Sequence, residues 1–324
     1  MTTYKNYLKQ YLDYVKNNPF TGAPDELYDP ANYILQLGGK RVRPLLVLLG
    51  YGLTNTDVTK ALPLANAVEV FHNFTLMHDD IMDNADVRRG EPTVHVKWNP
   101  NIAILSGDLM LVKAYQMLNN LQTDLETKTQ ITDGFGKMAE EVCVGQQFDM
   151  NFETQETVNE SDYLAMIEGK TSVLLAFSLE AGGQLGGANK TVTDALYQYG
   201  LNIGLAFQVM DDYLDTFGDQ ASFGKRIGGD ILENKKTLLW IEARKRAQPD
   251  QLKSLDEWYG KTIDSQEKID AVTLLFRTLE VDKYAEQMMH QFSTKASNYL
   301  DIIRQQYNTE LIESLASDLM TRSK

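Results

Sequence analysis

The stretch Phe71-His72-Asn73-Phe74-Thr75-Leu76-Met77-His78-Asp79-Asp80-Ile81-Met82-Asp83-Asn84-Ala85-Asp86-Val87-Arg88-Arg89-Gly90 decides how this chain folds. An apolar, helix-compatible run climbs into three carboxylates, Asp79, Asp80 and Asp83, and leaves through the paired Arg88 and Arg89. Residues four apart on a helix share a face, so Asp79 and Asp83 stand one turn apart with Asp80 beside them. Carboxylates so placed repel one another unless a cation sits between them. A second cluster, Asp211-Asp212-Tyr213-Leu214-Asp215, repeats the i, i+1, i+4 spacing. One such cluster alone reads as solvated, capping or salt-bridged aspartates; two of matched spacing, each ending an apolar helix, do not.

Working outward, the prolines set the architecture. Pro19, Pro24, Pro30, Pro44, Pro63, Pro92 and Pro100 punctuate the first third, and no proline follows until Pro249. The proline-free span is rich in Leu, Ala, Met, Gln and Glu and suits a series of long helices. Tyr4, Tyr7, Leu8, Tyr11, Leu12 and Val15 recur at helical spacing, which predicts a first helix over 3–17. A short helix ending at Gly38-Gly39 follows, and Lys40-Arg41-Val42-Arg43-Pro44 opens the next. The helix bearing the first acidic cluster begins near Asp57 or Pro63, which the first turn tolerates, and ends around Asp83. Residues 84–100 read as loop. Further helices fit 101–119, 125–151, 160–181, 192–216 and an amphipathic segment near 282–306, with a loop over 217–229. Glycines inside these segments read as sites of close helix packing, save Gly182-Gly183 and Gly186-Gly187, which read as a helix end. No strand series, repeat or low-complexity segment is visible. The expected fold is all-α, one domain over 1–324 of long helices.

Composition narrows the function. With 43% hydrophobic residues in 324, a large core can be built. A formal net charge of −14 argues against nucleic acid, whose phosphates are bound chiefly by basic surfaces. No apolar run reaches the eighteen or so residues of a spanning helix, and the first twenty residues are polar and amphipathic rather than a signal sequence. Cys143 is the only cysteine, so no disulfide forms within the chain. The chain reads as soluble and cytoplasmic, and Cys143 as a packed small residue.

Six aspartates, without thiolates or a His-x-x-x-His pair, suit a hard cation, and magnesium is the natural one. Magnesium shares its shell with water and substrate phosphates, so paired Asp clusters imply a diphosphate held between them. A glycosidase-like carboxylate pair needs one raised and one ordinary pKa across a sugar-sized gap, which adjacent aspartates on one face do not supply. Basic residues gather at the junctions around both clusters: Gly38-Gly39-Lys40-Arg41-Val42-Arg43, Arg88-Arg89, Lys170 after Gly169, Lys225 after Gly224, and Lys235-Lys236. Singly each is an ordinary surface charge. Together they suit phosphate held without metal.

These motifs resemble the trans-type isoprenyl diphosphate synthases, or polyprenyl synthetases, over nearly the whole chain. The resemblance rests on Gly39-Lys40-Arg41-Val42-Arg43-Pro44, Asp79-Asp80-Ile81-Met82-Asp83 with Arg88-Arg89-Gly90, and Gly145-Gln146-Gln147-Phe148-Asp149. It extends to Lys170-Thr171, Phe207-Gln208-Val209-Met210-Asp211-Asp212-Tyr213-Leu214-Asp215, Gly224-Lys225 and Asn234-Lys235-Lys236-Thr237. It implies a homodimer of helices around a deep cavity, condensing isopentenyl diphosphate with an allylic diphosphate (dimethylallyl, geranyl or farnesyl) with three magnesium ions. Position by position, it assigns Asp79, Asp80, Asp83, Asp211, Asp212 and Asp215 to metal. Arg88, Lys170, Lys225 and Lys235 fall to the allylic diphosphate, and Lys40, Arg43, His72 and Arg89 to isopentenyl diphosphate. Lys170, Thr171 and Gln208 fall at the reacting centre. By itself His72 reads as a core histidine turned from the carboxylate face; only the resemblance makes it a ligand. His78 reads as structural or as a support behind the ligating residues.

Chain length is expected to depend on Phe74 and Phe71, which a 1.5 Å rise puts about 7.5 and 12 Å beneath the carboxylates. Facing a cavity they form its floor and stop elongation early; otherwise one or both pack into a neighbouring helix. Bulky residues at these places resemble the family's short-chain enzymes, which implies a C15 to C20 product, with C20 favoured. Two other readings compete. A class I terpene cyclase normally carries an Asn/Ser/Glu motif in place of the second Asp cluster and has no use for Lys40 and Arg43. A non-catalytic regulatory subunit tends to lose acidic or basic positions, and none is visibly missing here.

Overall fold

The computed structural model describes residues 3–218, 227–261 and 263–321. Helices dominate: α1 (Tyr4–Asn17), α2 (Asp25–Gln36), α3 (Val42–Gly52), α4 (Leu62–Met82), α5 (Val94–Lys97), α6 (Pro100–Asn119), α7 (Leu125–Thr154) and α8 (Glu160–Ile167). After these come α9 (Val173–Gly186), α10 (Lys190–Phe217), α11 (Gly229–Leu232), α12 (Leu238–Arg246), α13 (Pro249–Tyr259), α14 (Gln266–Thr278), α15 (Val281–Arg304) and α16 (Glu310–Thr321). Among the described residues no helix is long and apolar enough to cross a membrane. The chain divides into two compact units, one of residues 1–136, 177–196 and 307–312, the other of 137–176, 197–306 and 313–324.

In the first unit, α4 is apolar on most of its circumference, so it is buried on most of it, from Leu64 through Val68, Phe71 and Met77. Pro63 sits in its first turn, where a missing N–H costs nothing. Helices α3 and α6 pack along it. Helix α9 comes so close to α3 that a Cβ on Gly182 would meet the Val47 carbonyl oxygen at 2.1 Å, and one on Gly50 that of Leu179 at 2.3 Å. Gly182 is therefore inside the helix, not at its end. The end is at Gly186-Gly187, where Ala188 N–H donates to Gly183 O and Gly187 N–H to Gln184 O, each at 3.0 Å. Gly187 takes the positive φ of 83° that this cap demands.

The segment 84–100 is more ordered than a loop. Val87–Arg88 pairs antiparallel with Glu91–Pro92, and α5 follows. Arg89 and Gly90, both at positive φ (56° and 83°), make the two-residue turn whose twist matches a hairpin.

The second unit packs around Phe152, Tyr163, Ile167, Val209, Trp240, Phe276 and Phe292. Cys143 of α7, expected to be packed, is instead exposed. Asn159 caps α8, its Oδ1 accepting from Asp162 N–H at 3.0 Å. The helix expected over 160–181 is interrupted by a π-helical turn at Glu168–Ser172. The cause is close approach: a Cβ on Gly145 of α7 would lie 2.2 Å from Lys170 N, and one on Gly169 2.8 Å from Glu141 O. The widened turn accommodates α7, and such turns recur at functional sites.

Candidate active site

The basic loop between α2 and α3 is built around two arginines with separate fates. Arg41, in the left-handed region at φ 49°, turns inward. It pairs with Glu69 of α4 at 2.5 Å and donates to the Leu35 and Leu37 carbonyls, each at 2.6 Å. Both partners are buried, so the pair fixes the loop and is not available to a ligand. Arg43 instead reaches His72, Nη1 to Nε2 at 3.1 Å. Burial above all, and then the Arg43 guanidinium, holds His72 well below the usual imidazole range. Arginine only donates, so a neutral His72 accepts at Nε2 and carries its proton on Nδ1. Burial also brings Arg43 down to about 10, which leaves it charged at neutral pH.

Arg89 completes this group. Its Nη1 donates to Leu37 O at 3.2 Å. A Cβ on Gly39 would lie 2.8 Å from its guanidinium carbon, and Gly39 takes a φ of 147° that other residues rarely adopt. Lys40 stands beside it on the same loop and is exposed. Arg43, His72 and Arg89 thus converge where the resemblance expects isopentenyl diphosphate. His72 is not turned from the carboxylates, as its isolated reading had it. Seven residues on a 3.6-residue helix fall within about 20° of a whole number of turns, so His72 lies under Asp79.

At the top of α4, Asp80 is buried and held bidentate by Arg88, Nε to the two carboxylate oxygens at 2.8 and 2.9 Å. Asp79 is half-buried and Asp83, just past the helix, is exposed. Below them Phe74 is half-buried, its ring 4.8 Å from that of His78 and 5.7 Å from that of Phe71. Phe71 is 1% exposed and lies edge-on to Phe135 of α7 at 5.1 Å. Of the two floor candidates, Phe71 packs into a neighbouring helix and Phe74 keeps an accessible face. His78 is structural as read, its Nε2 3.1 Å from Ile104 O of α6.

In the second unit the π turn presents Lys170 to Asp149 of α7, Nζ to Oδ2 at 2.5 Å, and Thr171 Oγ1 to Gln208 Oε1 of α10 at 3.4 Å. Gln208 Nε2 donates to Asp212 Oδ1 at 3.4 Å, and the Tyr163 hydroxyl donates to Asp212 Oδ2. Burial, then the charge of Asp230, pushes the Asp212 carboxyl up to about 8. Asp215 accepts from Asp230 N–H at 2.9 Å and is raised by burial. Burial and then Asp215 raise Asp230 to about 6. Lys235 answers this negative charge, its Nζ 3.5 Å from Asp230 and 2.9 Å from Glu233. Lys236 has another task, donating to Phe152 O at 2.6 Å at the end of α7. Lys225 lies outside the described residues.

Oxygen-only donors on both clusters fit magnesium. Asp80 is engaged by Arg88 and Asp212 by Tyr163 with Gln208, while Asp215 accepts from the Asp230 N–H. Among the described residues no three acidic or imidazole side chains form a ready cage. The remainder of a magnesium shell would have to come from water and a phosphate-bearing ligand. Sequence reading missed Glu69, Tyr163 and Asp230 as partners. Asp230 was signalled by Gly228-Gly229 before it, whereas nothing in the chain marks Glu69 or Tyr163.

An all-helical chain with two aspartate clusters and a separate group of basic side chains defines a class of isoprenoid-synthase-like enzymes that handle diphosphates. The sequence profile of polyprenyl synthetase matches residues 24–275. The geranylgeranyl diphosphate synthase of Methanosarcina mazei is 38% identical over 92% of this chain and 90% of its own. A crystal structure of a geranylgeranyl pyrophosphate synthase superposes with a TM-score of 0.92 at 40% identity, over all of both chains. A second, from Corynebacterium glutamicum, complexed with isoprenyl diphosphate and magnesium, does so at 0.83 and 29%, over 99% of this chain and 97% of its own. The chain belongs to the polyprenyl synthetase family.

Proposed function

We propose that this protein condenses isopentenyl diphosphate head-to-tail with an allylic diphosphate, as one catalytic domain, to give a trans-polyprenyl diphosphate of C15 to C20, with C20 favoured. The observation that carries this reading is the group Arg43, His72 and Arg89 at the foot of the carboxylates on α4. A cyclase ionises one diphosphate, whereas a condensing enzyme must hold a second one that does not leave. A metal-free cationic pocket beside a metal-suited acidic cluster answers that need. Its cost is partly met in advance, because Arg43 is held by a neutral His72 and Arg89 by a backbone carbonyl.

Bound magnesium, three ions by likeness to the family, would neutralise the charge developing on the departing diphosphate. The chain's own residues do the rest. Lys170 and Lys235, with Lys225 and with Arg88 if it exchanges Asp80 for phosphate, orient the allylic diphosphate so that its carbon–oxygen bond breaks with the electron pair leaving on oxygen. Lys40, Arg43, His72 and Arg89 hold the isopentenyl alkene against the resulting allylic cation, and a new carbon–carbon bond forms. Loss of the neighbouring proton, with the released diphosphate as base, leaves the new double bond. Thr171 and Gln208 line this centre, where exclusion of water keeps the cation from hydrolysis. No side chain has to act as nucleophile. We also read the protein as cytoplasmic, and as a homodimer joined through the exposed aliphatic stripe of α6.

Incubating pure protein with isopentenyl diphosphate plus dimethylallyl, geranyl or farnesyl diphosphate, and sizing products by mass spectrometry, tests the reading. Asp83→Ala and Asp211→Ala should each lose activity by about a hundredfold or more while circular dichroism stays helical. Near-normal turnover by either folded variant overturns the metal assignment.

A further inference from the structure

Lys268 has no part in the chemistry above, yet its side chain is wholly buried. A lysine so placed is rare unless its ammonium is fully engaged. Here three oxygens surround Nζ: Asn234 Oδ1 at 2.6 Å, Lys261 O at 2.8 Å and Leu232 O at 3.5 Å. None is a carboxylate. The three donors of the ammonium meet three neutral acceptors: Leu232 O at the end of α11, Lys261 O, and Asn234 Oδ1 in the short segment between α11 and α12 that also carries Lys235.

Asn234 sits at φ 58°, in the left-handed region that few L residues besides Asn, Asp and His adopt. Its conformation sets the contacts made at the second aspartate cluster. Lys235 N–H donates to Asp230 O at 2.9 Å, Lys235 Nζ lies 3.5 Å from Asp230 Oδ1, and Asp230 N–H donates to Asp215 Oδ2 at 2.9 Å. The neighbouring residue on α14, Ile269, stands against Gly228 just before α11, where an added Cβ would lie 2.7 Å from it. Helix α14 thus touches both flanks of α11, at Gly228 through Ile269 and at Asn234 through Lys268.

We propose that Lys268 is a positioning residue for the diphosphate end of the reaction, holding Asn234 in its left-handed turn so that Lys235 and Asp230 stand at the second aspartate cluster. The role rests on the condensing activity proposed above. It needs the ammonium itself, since an apolar side chain of equal length fills the space but leaves Asn234 Oδ1 and two carbonyls without a donor.

The test uses the full chain and compares wild type with Lys268→Met, Asn234→Gly and the double variant. Asn234→Gly keeps a residue at ease at positive φ and deletes only the acceptor. For each, KM for the allylic diphosphate, the magnesium concentration giving half-maximal rate, kcat and Tm are measured. Lys268→Met should raise the first two by about tenfold, the lower range seen when partners of ligating groups are removed. Asn234→Gly should do the same, and the double variant should be no worse than either single, because one bond is being removed from both sides. KM for isopentenyl diphosphate should stay within about twofold, the scatter expected of sites sharing no partner. A merely structural lysine would lower Tm and leave these ratios alone. Unchanged KM and magnesium dependence in folded Lys268→Met overturn the inference, as do additive effects in the double variant. Should Lys268→Met not fold, Asn234→Gly decides alone by the same criteria. A wild type inactive with every allylic primer would instead sink the proposed function.

Discussion

Arg41 and Arg43 stand two residues apart in one basic run and end in opposite roles. The difference is the partner each finds: Arg41 finds Glu69 and two carbonyls and becomes part of the scaffold, while Arg43 finds a neutral imidazole and, under the proposed function, keeps its charge for a ligand. The sequence shows two cations and cannot show which one Glu69 claims, because that choice is made across 28 residues. Asp80 teaches the same lesson, legible as a member of an acidic triplet but not as the partner of Arg88. A testable consequence at this scale lies away from the site. Burial, then Asp194, pushes the Glu180 carboxyl up to about 7, with Lys190 opposing. Between its ordinary 4.5 and about 7 the folded chain binds more proton than the unfolded one, so stability falls as pH rises through that window. The contribution of the neutral form is complete below 4.5 and gone above about 7. Glu180→Gln should therefore raise Tm relative to wild type at pH 8 and change it little at pH 4, the gap corresponding to about 1–3 kcal/mol. Parallel Tm curves over this range would show that Glu180 ionises freely in the folded protein.

At the scale of elements, most helices were legible because proline, capping and period agree. Helix α4 is bounded by Pro63 and by the carboxylates, and α15 by its apolar stripe. What was not legible depended on close approach between segments remote in sequence. Nothing in Glu168-Gly169-Lys170-Thr171-Ser172 announces a π turn, which exists because α7 comes against it at Gly145. Gly182-Gly183 carries the local signature of a helix end and is interior for the same reason, its neighbour being α3. The hairpin at Arg89-Gly90 was hidden because a two-residue ladder has too few positions to alternate. Chain length belongs to this scale as well, since under the proposed function α4 itself would be the ruler. Phe74 keeps an accessible face whereas Phe71 is locked against Phe135, so only the first can be removed without opening the core. Phe74→Ala should lengthen the product by one or more isoprene units in mass spectrometry with little loss of stability. Phe71→Ala should instead cost about 3–5 kcal/mol in chemical denaturation. An unchanged product from Phe74→Ala would remove it from the floor.

For the whole molecule, the question is what the aliphatic side of α6 is for. Ala103, Ser106, Gly107, Met110, Ala114 and Leu118 are buried, so the inner face of the helix is satisfied. Yet Ile104, Leu105 and Val112 stand 42%, 58% and 52% exposed, and the seven-residue interval between Leu105 and Val112 puts them on one stripe. Single exposed aliphatics are ordinary, but a stripe of them is a docking surface or an aggregation hazard. A second copy of the same chain is the occupant that family likeness supplies. The net charge of −14 opposes such self-association, so apolar burial has to overcome a repulsion that salt screens. Light scattering at micromolar concentration should then give twice the 36.7 kDa chain mass, with dissociation on dilution occurring later in 0.5 M salt than at low salt. Introducing Leu105→Asp with Val112→Asp adds charge and removes apolar area at once, and should yield a helical monomer. A wild-type monomer under both salt conditions would end the dimer reading, and the stripe would need another partner.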